Sequence, residues 1–171
     1  MRGLPPGAES VAAHSYGVAL TAMLLADECA ARGVEVDVGR VVRIALLHDL
    51  QETRTGDMPR TVADYYGKEA RRAAERAAFD DIMRGATNAP AYAELHEDYE
   101  SRASLEARLV KAADVIDLLA QALYFERAGS RGLDEFWEGA AERDFQLEGP
   151  AREVVREAIA ALVGERERSR Q

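Results

Sequence analysis

Helical periodicity runs through almost the whole chain, and nothing in the sequence competes with it. Apolar residues recur at three- and four-residue spacing. Alternating apolar–polar runs of the kind a half-buried strand needs are missing, and Ala, Leu, Arg and Glu dominate. Helix-end signals fall where such a pattern requires them. Ser10 stands before a periodic run that Gly33 stops, and Asp37 caps a second run reaching Gln51 or Glu52. Thr61 begins a third helical region that extends to Arg84. Gly85 to Pro90 reads as a loop and Tyr92 to Tyr99 as a short helix. Ser104 caps a long helix from Leu105 to about Arg127. After a Gly129-Ser130-Arg131-Gly132 loop come a short helix over Leu133 to Ala141 and an amphipathic helix opened by Gly149-Pro150. Gly164 to Gln171 alternates charges and is expected to fray into solvent.

The helices are unequal in length, with no internal repeat and no linker-like stretch. The pattern therefore predicts an all-α fold, compact and irregular rather than a symmetric four-helix bundle. Residues 1–148 are expected to form the body of one domain, with 149–171 a C-terminal helix and tail belonging to it. At 171 residues and 47% hydrophobic, the chain can bury one sizeable core.

Charge narrows the partners. Lys plus Arg is 22 against 31 for Asp plus Glu, a net charge of −9. This disfavours polymeric nucleic acid and anionic membranes. It leaves room for a small phosphorylated ligand where a bound cation reverses the local sign. The single cysteine, Cys29, excludes an intrachain disulfide framework and a multi-thiolate metal site. Cys29 itself reads as a packed or half-exposed thiol, with nothing that marks it as reactive. Apolar runs such as Ile44 to Leu47 are far short of the ~20 residues that span a bilayer. The N-terminal MRGLPPGAESV carries no signal-peptide pattern, so the expected location is cytoplasmic.

Chemistry concentrates on a few residues. Of three histidines, His48 is followed at once by Asp49 at the end of an apolar helix, on the side shared by Val41, Ile44 and Ala45. A His-Asp pair facing a core is costly unless compensated, and a divalent cation compensates it. His14 lies on a side with Val11, Val18 and Leu25, and Asp114 lies beside Val110, Ala113 and Leu118. Singly, His14 reads as a hydrogen-bonded core histidine and Asp114 as a partner of Lys111 or an arginine. Jointly, three helices each place metal-type ligands on an inward face. Glu52 follows His48 by four residues, about 40° around a helix, and Asp57 sits in the Gly56-Asp57-Met58-Pro59 break. Such carboxylates can manage the protons of an attacking water and a leaving oxygen. Taken alone, Glu52 is a helix-end surface carboxylate and Asp57 a turn or cap residue. His96 reads as a surface residue, Lys68 to Arg84 as a solvated helix face, and Phe136-Trp137 as a core or subunit anchor.

Four segments in order carry a resemblance: Glu9 to Ser15, Ala45 to Thr53, Thr55 to Pro59, and Val110 to Asp114. Together they spell an H…HDxxE…GDxP…KxxD series. Over roughly Arg2 to Trp137 the sequence resembles the HD-domain metal-dependent phosphohydrolases, more narrowly their 5′-deoxynucleotidase branch. The resemblance implies four metal ligands at His14, His48, Asp49 and Asp114, and an acidic catalytic pair at Glu52 and Asp57. It implies one divalent cation (Mn, Co, Fe, Ni, Zn or Mg) and hydrolysis of (deoxy)nucleoside 5′-monophosphates by activated water. It also implies an irregular helical HD-domain fold and a homodimer, for which the final helix and Phe136-Trp137 are the expected contact. The family's Arg-Thr-Gly-Trp-like stretch, upstream of the segment matching Arg2-Gly3, has no counterpart here. Arg2 and Lys111 are the remaining expected substrate contacts. Two other readings stand beside this one. One is a hydrolase of another phosphate substrate, such as a nucleoside triphosphate. The other is a non-catalytic helical binding module pinned by its metal, which would not need Glu52 and Asp57.

Overall fold

The computed structural model describes residues 9–58 and 65–170. Among them are eight helices and no strand: α1 (Val11–Ala31), α2 (Val38–Leu47), α3 (Glu52–Thr55), α4 (Lys68–Ile82), α5 (Ala89–Ser101), α6 (Leu105–Arg127), α7 (Asp134–Trp137) and α8 (Gly149–Ser169). The fold is all-α, as the periodicity requires. The expected caps form. The side chains of Ser10, Asp37 and Ser104 accept from the backbone N–H of Ala13, Arg40 and Ala107 at 3.1, 2.9 and 3.0 Å. Each satisfies one of the donors that a helix start leaves unpaired. The expected start of the third helical region at Thr61 lies outside the described residues.

The core sits where α1 packs against α2 and α6. Small side chains let the backbones approach: Ala22 and Ala26 on α1, Ala45 on α2, Ala112 and Ala113 on α6, all fully buried. Val18, Ile44, Leu109 and Leu119 fill the space between them. Asp98 on α5 ties two helix starts to this core. Its carboxylate accepts from the Ser104 backbone N–H and hydroxyl at 2.9 and 2.7 Å, and from the Arg40 guanidinium at 2.6 Å.

Three expectations are corrected. The second helix ends at Leu47 rather than Gln51 or Glu52. The Gln51 side-chain amide donates to the His48 carbonyl at 3.1 Å. The Glu52 N–H turns instead to Asp49 at 3.0 Å, so the chain tightens into three-residue turns before α3. His96 is buried, not a surface residue. Its ring stacks on Phe79 with centroids 4.2 Å apart, and its Nε2 lies 3.1 Å from the Gln51 side-chain oxygen. The acidic residues flanking it hid this, because one helical position can face inward among solvated neighbours. Third, residues 164–169 do not fray. Arg166 bonds Glu126 and Asp134, its guanidinium lies 4.7 Å over the Trp137 ring, and Arg127 pairs with Glu165.

The final helix lies on α6 and α1 and buries Ala151, Val154, Val155 and Ile159 there, and Trp137 is buried as well. Its apolar side is thus turned onto its own chain. No helix among the described residues is long and apolar enough to cross a membrane. Replacing Arg166 with Ala removes a largely buried guanidinium from both Glu126 and Trp137. It is expected to lower unfolding free energy by about 1–2 kcal/mol in urea, whereas the exposed Arg168→Ala should leave the urea midpoint unmoved.

Candidate metal centre

Three helices and the turn after α2 bring four side chains of metal-ligand type together. His14 comes from the first turn of α1, His48 from the residue capping α2, Asp49 from the turn after it, and Asp114 from mid-α6. His14 Nε2 lies 3.5 Å from Asp49 Oδ2 and 3.4 Å from Asp114 Oδ1, and His48 Nε2 lies 3.1 Å from Asp49 Oδ2. His14, His48 and Asp114 form a group able to hold one metal ion.

The tautomers follow from the hydrogen bonds. His48 Nδ1 sits 2.7 Å from the Ala45 carbonyl, which can only accept. Nδ1 therefore carries the proton, and in the neutral ring Nε2 presents a lone pair. That Nε2 is fully buried and has no hydrogen-bond partner among the described residues. A buried lone pair beside a carboxylate oxygen is unfavourable unless a proton or a cation sits between them. Two donors each ~2.1 Å from one cation lie roughly 3.0–3.4 Å apart at octahedral to tetrahedral angles, and the observed 3.1, 3.4 and 3.5 Å lie within about 0.1 Å of that range. The residues present therefore fit a divalent cation with imidazole and carboxylate ligands.

Without a cation the cluster holds protons. Burial opposes a charged His14, but Asp114, Asp117 and Asp49 outweigh it and push its pKa up to about 12. His48 is raised against its own burial by Asp49 and Asp114. Burial alone would raise Asp49, yet His14 and His48 bring it down to about 2. Asp114 is held well below the usual carboxylate range, its burial outweighed by His14, Lys111 and His48. Metal binding exchanges these protons for one ion.

The expected Lys111–Asp114 pair forms, and two further contacts, from Tyr99 and Asp117, were not foreseen. The Tyr99 hydroxyl donates to Asp114 Oδ2 at 3.0 Å, and Lys111 Nζ donates to the same oxygen at 2.7 Å, which leaves Oδ1 for the centre. Asp117 Oδ2 lies 2.9 Å from His14 Nδ1. Asp117 falls three residues after Asp114 on α6, a spacing from which a shared face was readable. Tyr99 carried no such signal, since only packing brings α5 to α6.

Glu52 begins α3 and is half-buried. Its burial, and then the charges of Asp49 and Asp57, push its pKa up to about 7. Asp57 is exposed and follows Gly56, whose φ of 71° turns the chain out of α3. Glu52 therefore lies near enough to both Asp49 and Asp57 for their charges to act on it. Lys111 is part of the cluster through Asp114, and Arg2 lies outside the described residues.

A family model described as HD domain matches residues 4–144. Among curated proteins, the chain is 32% identical over 138 residues to the Xenopus laevis 5′-deoxynucleotidase HDDC2, covering 78% of this chain and 64% of that protein. It is 34% identical over 143 residues to the Saccharomyces cerevisiae 5′-deoxynucleotidase YGK1, covering 78% and 62%. The chain thus spans less than two thirds of these relatives' own length. Among solved structures it resembles a conserved hypothetical protein from Pyrococcus furiosus, with TM-score 0.79, 39% identity and 93% and 86% of the two chains covered. It also resembles an HD-domain phosphohydrolase from Listeria innocua, with TM-score 0.60, 26% identity and 94% and 71% covered.

The raised pKa of Glu52 gives a signed expectation for the metal-free protein. The unfolded chain ionises Glu52 near 4.5, whereas the folded chain keeps its proton to about 7. Stability from this group therefore falls as pH rises through that window. Glu52→Gln should be more stable than wild type above pH ~8 and indistinguishable from it below pH ~4 in urea titrations. A difference independent of pH would show that Glu52 is not held protonated.

Proposed function

This chain belongs to the HD domain family, and from its site we propose that it is a metal-dependent phosphomonoesterase acting on (deoxy)nucleoside 5′-monophosphates. The observation that carries this reading is the buried, unpartnered Nε2 of His48 beside Asp49, His14 and Asp114. The likeness to proteins named 5′-deoxynucleotidases supports the substrate class.

In this reading His14, His48, Asp49 and Asp114 hold one divalent cation. When bound, it supplies Lewis acidity and water activation near neutral pH. The remaining steps belong to side chains. Glu52, half-buried in the neighbourhood of Asp49 and Asp57, delivers a proton to the ribose 5′ oxygen as the P–O bond breaks. Asp57 orients the attacking water and takes its proton. Lys111, already fixed on Asp114, places a positive charge beside the substrate phosphate. Arg2 is assigned to the phosphate and sugar side by the resemblance alone.

Residues 149–171 belong to the same domain as 1–148 in this reading, supported by the burial of α8 against α1 and α6. The protein is cytoplasmic and homodimeric. Tyr16, Leu20 and Leu24 are exposed at four-residue spacing along α1, and they replace the C-terminal elements as the surface a second copy would cover. Sedimentation should show a dimer for wild type and a monomer for Leu20→Glu. A wild-type monomer removes the assembly from the proposal.

Phosphate release from a panel of nucleoside 5′-monophosphates, nucleoside triphosphates and cyclic dinucleotides, with and without Mn²⁺ or Co²⁺, tests the chemistry. Turnover of monophosphates that depends on added metal is expected. Glu52→Ala and Asp57→Ala should each retain the metal and lose roughly 10²–10⁴-fold in kcat. Hydrolysis of triphosphates alone would replace the substrate assignment. Full activity in both variants would leave only a structural metal.

A further inference from the structure

Gly17 is out of place by helix chemistry. It sits in the interior of α1, where glycine is disfavoured, and one turn beyond His14. A Cβ at this position would lie 2.2 Å from Asp117 Oδ1 and 3.0 Å from Asp117 Cγ. A side chain there would have to displace the Asp117 carboxylate, which occupies the space. Its other oxygen, Oδ2, lies 2.9 Å from His14 Nδ1, and its side chain is largely shielded from solvent.

We infer that Asp117 is the positioning residue of His14, and that Gly17 is the seat which lets its carboxylate reach the ring from α6. The inference rests on the metal-centre reading above. A carboxylate oxygen accepts, so Nδ1 carries the hydrogen, and Nε2 is left to face Asp49 and Asp114. The two histidines of the centre are thus held by different devices. His48 is fixed by the Ala45 carbonyl within its own helix, a bond that any sequence with a histidine there could make. His14 is fixed across the α1–α6 contact, which requires both an acid at 117 and a missing side chain at 17. Outer carboxylates of this kind orient a ligating ring and raise its basicity.

The same pair explains a coupling between packing and ligation. Asp117 lies three residues after Asp114 on α6, so one face of this helix supplies a ligand and the group that aims a second ligand. A shift of α1 against α6 would therefore disturb His14 and Asp114 together.

Metal-free wild type, Asp117→Asn, Asp117→Ala, Gly17→Ala and the Gly17→Ala/Asp117→Ala double variant test this by calorimetric titration with Mn²⁺. The visible absorption of bound Co²⁺ reports the ligand field, and circular dichroism and thermal midpoints check the fold. Asp117→Ala is expected to weaken Mn²⁺ about 10–100-fold and to shift the Co²⁺ bands. Gly17→Ala alone should weaken it by a similar factor. In the Asp117→Ala background the same substitution should cost no further affinity and should raise the thermal midpoint, because the space is then free and alanine favours the helix. Should Asp117→Ala not fold, Asp117→Asn, which conserves the shape, decides the question on the same readouts. Wild-type Mn²⁺ affinity and unchanged Co²⁺ bands in a folded Asp117 variant would overturn the inference. So would additive losses from Gly17→Ala and Asp117→Ala. If wild type and His48→Ala bind Mn²⁺ equally or not at all, it is the metal centre itself that fails.

Discussion

Two imidazole nitrogens and two carboxylate oxygens meet within 3.5 Å of one another's nearest partner where α1, α2 and α6 converge. Such a cluster is unstable on its own terms. Neutral histidines would aim lone pairs at carboxylates, and ionised carboxylates buried together repel. The same opposition of charge raises His14 and His48 and lowers Asp49 and Asp114. A divalent cation would resolve it by competing with protons for the same nitrogen and oxygen atoms. Metal affinity should therefore strengthen as pH rises. The rest of the molecule can be understood as what is needed to hold these groups in conflict.

Holding them takes packing from several directions. Alanines on the facing sides of α1, α2 and α6 bring the three backbones close enough for short side chains such as Asp to meet. The end of α2 is set by Gln51, whose amide takes the His48 carbonyl and whose carbonyl oxygen faces His96. His96 in turn stacks on Phe79 of α4. The turn carrying Asp49 and Glu52 is thus braced by helices that contribute no ligand. Tyr99 does the same for Asp114 from α5, with its ring steeply inclined to that of His48 at 70°. A burial-driven rise in the Tyr99 pKa keeps that hydroxyl a donor across the neutral range.

Glu52 shows how the same surroundings shift a neighbouring carboxyl. It shares the neighbourhood of Asp49 and Asp57 and is partly removed from water, so both effects favour its proton. A bound cation would act in the opposite sense, which couples the protonation of Glu52 to occupancy of the centre. The acidic character of the whole chain does not by itself exclude an anionic ligand, because Lys111 already places a positive charge at the cluster and a bound cation would add to it.

The helices, their caps at Ser10, Asp37 and Ser104, and the inward placement of His14, His48 and Asp114 were legible in the residue order, because capping and helical periodicity are local effects. The HD family signature was legible too, through motif spacing. Tertiary structure alone decided the rest. Whether His96 faced solvent or Phe79 depended on where α4 lay. Whether the charged end of α8 frayed depended on Trp137 and Glu126 being underneath it. Whether Gly17 was an idle glycine or a recess depended on Asp117, which is 100 residues away in sequence and in contact across the helix pair. Local periodicity tells which way a side chain points from its own helix. Only the packed structure tells what it meets there.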